Sequence, residues 1–148
     1  SRLRRRLSIM NNTTVPELIY QWSEMYCEAL KHSYIRYSIK SHKLHDDDPT
    51  GYHQECIEKL ENGESDYSYQ IEKGRKYLKI MMVIDRGSNR LGQSRSVHAF
   101  IDKKTGEVYK AASWKSPARN GVRFDLRLIE SRERLYECCD WAGGHLYK

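Results

Sequence analysis

From Val15 the apolar positions recur at helical spacing: Val15, Leu18, Ile19, Trp22, Met25, Tyr26, Ala29 and Leu30 fall on one stripe. Tyr34 and Tyr37 prolong the stripe, which fades by His42. Thr14-Val15-Pro16-Glu17 carries a threonine three residues before a glutamate, with proline in the first turn, and so predicts where this helix opens. Asp46-Asp47-Asp48-Pro49-Thr50-Gly51 then reads as a turn. A short second helix is predicted near Tyr52–Leu60, with Cys56, Ile57 and Leu60 on one side and Asn62-Gly63 as its left-handed stop.

The period changes after Gly63. Tyr77 to Ile84 is apolar without strict alternation, as in a central strand. The basic, glycine-containing stretch Arg86–Gln93 follows as a loop, and Ser96–Ile101 as a second strand. Asp102-Lys103-Lys104-Thr105-Gly106 suits a hairpin turn into a third strand, Glu107–Ala112. Val122–Leu128 alternates apolar and charged residues without a break, which predicts a fourth strand with Arg123, Asp125 and Arg127 outward. Ser131 is placed to cap a last helix carrying Leu135, Cys138, Cys139 and Ala142, with Gly143-Gly144 ending it. The expected architecture is α+β: an N-terminal helix, a short second helix, an antiparallel sheet of about four strands and a C-terminal helix.

The 148 residues are one domain long, read as a basic mobile lead-in over 1–12 and a single α+β domain over 13–148. The longest apolar run, Ile80–Ile84, is far short of a membrane span, so no membrane partner is expected. Basic Ser1–Leu7 has no apolar run behind it and is not read as a secretory signal. Cys27, Cys56, Cys138 and Cys139 are read as reduced thiols at or near the core, which points to a reducing compartment.

Charge changes this picture more than composition does. The net formal charge is +6, yet His42–Glu72 holds nine acidic residues against two basic, and Arg75–Lys104 eight basic against two acidic. A chain polarised in this way offers its basic segments as anion-binding surfaces. Tyr109-Lys110 and Trp114-Lys115 interleave aromatic rings with cations, the combination by which single-strand binders stack bases and meet phosphates. Lys103, Lys104, Tyr109, Lys110, Trp114, Lys115, Arg119, Arg123 and Arg127 are therefore the expected nucleic-acid-binding set, with Arg86, Arg90 and Arg95 extending it.

Val97-His98-Ala99-Phe100-Ile101-Asp102, the stretch Thr105–Lys115 with its Tyr-Lys-Ala-Ala-Ser-Trp-Lys segment, and Asp140-Trp141-Ala142-Gly143-Gly144 form a distinctive C-terminal pattern. It resembles a family of small, functionally uncharacterised proteins of tailed bacteriophages. The resemblance implies a phage origin and a host-cytoplasm or virion setting, and it brings no catalytic residues.

Other chemistry is weakly supported. His42-x-x-His45 and His53-x-x-Cys56 flank three aspartates and could in principle hold zinc, but the spacing fits no common zinc module, so no metal or cofactor is expected. No Gly-x-Ser-x-Gly elbow or phosphate loop is present, and the reading leans away from an enzyme. The leading expectation is a phage-encoded accessory protein that binds nucleic acid non-specifically through a basic β surface. The alternatives are a virion, assembly or host-interaction protein acting through protein contacts or self-association, and a small metal-dependent enzyme.

Overall fold

The computed structural model describes residues 13–45, 47–85, 93–118 and 121–147. The lead-in 1–12, residues 86–92 of the basic loop and Arg119 lie outside the described residues. Thr14 opens helix α1 (Val15–Lys43), accepting a hydrogen bond at Oγ1 from the Glu17 amide, which satisfies one of the free donors of the first turn. Ile19, Ser23, Tyr26, Cys27, Leu30, Ile35 and Ser38 form its buried stripe. Val15 and Met25, expected on that stripe, are instead 46% and 54% exposed, because the line of contact with the sheet runs through Ile19, Tyr26 and Leu30. Ser23 tolerates burial by donating to the Ile19 carbonyl at 2.7 Å.

Helix α2 (Tyr52–Glu61) folds back on α1 and buries Ile57 and Leu60. The sheet is an antiparallel meander of five strands in the order β1 (Tyr67–Lys73), β2 (Tyr77–Asp85), β3 (Gln93–Asp102), β4 (Glu107–Lys110), β5 (Phe124–Asp125). Strand β1 was not expected, since its charged residues Glu72 and Lys73 and its scattered tyrosines mask the alternation that buries Tyr69. The expected strand over Val122–Leu128 contracts to two residues: Leu126 donates to the Gly106 carbonyl and the chain then turns into helix α3 (Ile129–Cys138). Likewise β4 stops at Lys110, and Ala111 makes only an isolated bridge to Pro117. Ser131 does not cap α3. Leu128 occupies that position, and Ser131 Oγ instead accepts from the Asp125 amide at 2.8 Å.

Helices α1 and α3 lie against one face of the sheet, where Leu78, Ile80, Ala99, Ile101, Val108 and Phe124 meet Ile19, Tyr26, Leu30 and Leu135. Cys27 and Cys139 join this core and Cys138 is exposed, reversing its expected burial; all four cysteines are free thiols. No helix among the described residues is long and apolar enough to cross a membrane.

The C-terminal segment is tied down by polar contacts from distant residues. Tyr69 donates to the Trp141 carbonyl at 2.7 Å, Ser33 Oγ accepts from the Trp141 amide at 3.1 Å, and Tyr136 donates to the Trp22 carbonyl at 2.7 Å. The Trp141 ring meets Tyr34 and Tyr67 edge-on, and those two tyrosines stack at 4.0 Å between centroids.

The β3–β4 turn supplies a stability test. Gly106 sits at φ +75°, and a Cβ there would stand 3.2 Å from Arg127 Cγ. Gly63, at φ +82°, faces open space. Gly63→Ala should cost about 1 kcal/mol from the backbone alone, and Gly106→Ala about 2 kcal/mol or more. Urea denaturation of both variants checks the order; equal losses would remove the steric contribution at Gly106.

Candidate functional site

The β2–β3 pairing runs in register from Tyr77↔Asp102 to Ile80↔Ala99, then shifts so that Met81 faces Val97, leaving His98 as an extra residue. A bulge of this kind re-aims a side chain, and here the His98 ring turns toward the helices. Its centroid lies 6.1 Å from Tyr26 of α1, 5.5 Å from Tyr69 of β1 and 5.6 Å from His145, with which it stacks. His145 arrives on a short 3-10 turn, Gly144–Leu146, set up by Gly143 at φ +87°. A Cβ on Gly143 would stand 3.6 Å from His98 Cε1, so chain and ring are packed against each other.

The protons in this cluster can be placed. The Asp140 amide donates to His145 Nδ1 at 3.0 Å, which leaves Nε2 as the protonated nitrogen. That Nε2–H donates to Tyr26 Oη at 2.6 Å. His98 Nε2 is buried and has no hydrogen-bond partner among the described residues. Burial pushes His98 down to about 3, with His145 nearby adding to the effect. Burial also lowers His145 to about 4 against the opposing pull of Asp140, and holds the Tyr26 phenol well above its ordinary value. Near neutrality the cluster is therefore two neutral imidazoles and a neutral phenol. It can donate, accept and position hydrogen bonds, but its bases are weak. Beside it opens a cavity of about 370 Å³ lined by His98, Lys110, Trp141, Gly143 and Tyr147 among others.

The nine residues expected to bind nucleic acid do not share one surface. Lys103 and Lys104 sit in the β3–β4 turn, and Lys103 Nζ donates to the Gly74 carbonyl at 2.9 Å. Arg127 is exposed near that same end, its Nε 4.0 Å from Asp125. Arg123 is half-buried, with Nε on the Leu146 carbonyl at 2.5 Å and a terminal nitrogen on the Gly121 carbonyl at 2.7 Å. It fastens the C-terminal segment. Tyr109 and Lys110, adjacent on β4, point to opposite faces, and Lys110 Nζ lies 4.3 Å over the Tyr147 ring beside the His98 cavity. Arg119, Arg86 and Arg90 fall outside the described residues.

Tyr109, Trp114 and Lys115 remain, and the fold adds residues to them. On the sheet face away from α1 and α3, Tyr109 meets Tyr77 edge-on at 6.1 Å, and Tyr77 meets Phe100 at 5.6 Å. Lys79 Nζ lies 5.4 Å over the Trp114 ring and 5.9 Å over Phe100, while Lys76 Nζ lies 5.4 Å over Tyr77. Met81, Val83 and Phe100 are buried on this face, so its open part is the rim of Tyr77, Lys79, Tyr109 and Trp114. Trp114 is 49% exposed and is no core anchor. Burial raises the Tyr109 phenol, and Glu107 adds to it. Lys76, Tyr77 and Lys79 were missing from the expected set; the alternation Tyr77-Leu78-Lys79 was the available signal, but which face the helices cover is invisible in sequence.

The histidines near the end of α1 do come together. His42 Nδ1 and His53 Nδ1 are 2.8 Å apart, His45 stacks on His53, and His53 Nε2 is 3.7 Å from Asp48. Desolvation and the neighbouring histidines lower His42. Two Nδ1 atoms at that distance share one proton, an arrangement of a hydrogen-bonded pair. Among the described residues no group of three or more histidine, cysteine or acidic side chains is arranged to hold a metal ion.

The lowered histidines set a pH dependence. Below the ordinary value of 6.5 the unfolded chain binds protons that folded His98 and His145 refuse, so stability falls as pH drops, and the loss ends at about 3 for His98 and about 4 for His145. Each histidine contributes a slope of up to about 1.4 kcal/mol per pH unit inside its window. Urea midpoints measured from pH 7 to pH 4 should fall less steeply in His98→Leu than in the parent chain. Parallel curves would assign the acid sensitivity to other groups.

Comparison with known proteins adds one finding. No curated protein and no solved structure matches the chain. A family model does, over residues 8–148, and so takes in helices, sheet, bulge and C-terminal turn alike. The chain belongs to DUF7717, a family of unknown function.

Proposed function

We propose that the chain is a phage-encoded accessory protein, working in the host cytoplasm or the virion, that binds nucleic acid non-specifically through the sheet face that no described helix covers. The observation that carries this reading is Trp114: half exposed, with Lys79 Nζ 5.4 Å over its ring, on the face that no described helix covers. An exposed ring can stack on any base, and Lys79 over it, Lys115 next to it in sequence, and Lys76 and Arg95 elsewhere on the same sheet face can meet phosphates. Base stacking favours single strands, whose bases are free to leave the helix. The phage setting rests on the sequence resemblance at Val97–Lys115 and Asp140–Gly144.

The same aromatic rim favours a second reading, a protein–protein contact, because exposed tyrosine and tryptophan concentrate at interface hot spots. Light scattering separates the two: a defined oligomer without nucleic-acid affinity supports the contact reading.

Fluorescence anisotropy with labelled single- and double-stranded oligonucleotides at low salt tests the proposal. Trp114→Ala should weaken single-strand binding by about 1–3 kcal/mol with the salt slope nearly unchanged, since stacking releases no counterions. Its melting temperature should scarcely move, as expected of an exposed side chain. Lys79→Ala and Lys115→Ala should each lower the salt slope by roughly 0.7 on single strands. Lys103→Met, which loses the bond to the Gly74 carbonyl, should leave affinity unchanged and lower stability. No binding at low salt, or binding indifferent to salt, sinks the reading.

A further inference from the structure

We propose that the cavity beside His98 is a binding site for a small ring-bearing anion of mononucleotide size, separate from the strand-binding face. The two surfaces lie on opposite sides of the sheet: Trp114 faces away from the helices, whereas Met82, His98 and Lys110 line the cavity on the helix side.

Three features point to a ligand. The first is an unmet hydrogen bond: His98 lines the cavity, yet its buried Nε2 has no partner among the described residues. Leaving a buried polar atom unpaired is costly, and native folds rarely keep one without a use. The bulge that aims the ring here also disrupts the β2–β3 pairing, so this placement is maintained against two local costs. Neutral imidazole offers one donor and one acceptor, which suits the polar edge of a neutral ring system.

The second feature is charge. Lys110 Nζ stands at the cavity with no carboxylate within salt-bridge distance among the described residues; its neighbour is the face of Tyr147, 4.3 Å away. An uncompensated ammonium next to a partly apolar cavity recruits an anion, and a phosphate or carboxylate can accept its protons. The third is the aromatic wall. Trp141 and the exposed Tyr147 flank the opening, and the volume of about 370 Å³ lies at the small end of organic-ligand sites. A ring bearing one anionic group fills such a space with its ring along Trp141 and Tyr147 and its anion on Lys110.

The site stands on a rigid base. The His145–Tyr26 hydrogen bond, the Asp140 amide on His145 and the Tyr69 bond to the Trp141 carbonyl hold the three walls in place without using His98. A ligand reaches the enclosed Nε2 once the His98 ring turns toward the cavity, while these contacts keep the surrounding walls in place.

The test is a titration of the full chain with AMP, UMP, adenosine and inorganic phosphate, followed by calorimetry and by long-range proton–nitrogen NMR of the histidine side chains. Saturable binding of a mononucleotide that shifts the His98 nitrogens and leaves those of His42 unmoved supports the site. Lys110→Met should weaken binding by about 10-fold or more, the loss expected for one charge-assisted hydrogen bond. Ala142→Trp, at an exposed position on the rim, should block binding with an unchanged melting temperature. Trp114→Ala should bind mononucleotide as the parent chain does, which separates this site from the strand-binding face. Unchanged affinity in both the Lys110 and Ala142 variants overturns the proposal. So does phosphate alone binding as tightly as AMP, or no His98 shift at millimolar nucleotide.

Discussion

The hydrogen bond from His145 Nε2 to the buried hydroxyl of Tyr26 is the contact on which the C-terminal half of the fold depends. Tyr26 is fully buried in the middle of α1, and a buried phenol oxygen without a partner is a liability of a few kcal/mol. Satisfying it requires residue 145 to return across the sheet to residue 26. That return brings Trp141 onto Tyr34 and Tyr67, sets Leu146 into the core, and positions its carbonyl to receive Arg123. The apolar contacts are the larger energy, but the polar ones fix which arrangement of them is adopted.

The same constraint separates the molecule's two faces chemically. On the helix side His98, His145 and Tyr26 are desolvated and neutral near neutral pH. On the other side lysines lie over aromatic rings at 5.4–5.9 Å, where the ring face favours a cation while the ammonium stays hydrated.

Helix α1 was legible because its signals are local: a threonine cap, a proline in the first turn and an apolar stripe. The Asp102–Gly106 hairpin was legible for the same reason, with Asp102 Oδ1 accepting from the Lys104 and Thr105 amides. Strand β1 was not, since its tyrosines reach their partners on α1 and at Trp141, far away in sequence. Val122–Leu128 misled in the opposite direction. Its perfect alternation reflects a chain passing the core edge, with Phe124 and Leu126 buried, but only two residues find a strand to pair with. The basic set failed as a single patch because charge along a chain says nothing of direction: Arg123 turned inward to carbonyls, Lys110 to one face and Tyr109 to the other.

By itself the sequence determined an α+β chain with a long capped N-terminal helix, a short second helix, a β-hairpin turn at Gly106, and aromatic rings interleaved with cations near residues 109–115. These follow from periodicity, capping and turn chemistry, which act over a few residues. Only the tertiary structure decided that Trp114 stays half exposed beneath Lys79, and that His98 is swung by a bulge into contact with Tyr26, Tyr69 and His145. Those outcomes depend on which sheet face the helices cover and on where strand register slips. Both are settled by packing between residues from 29 to 119 positions apart, beyond the reach of any local pattern.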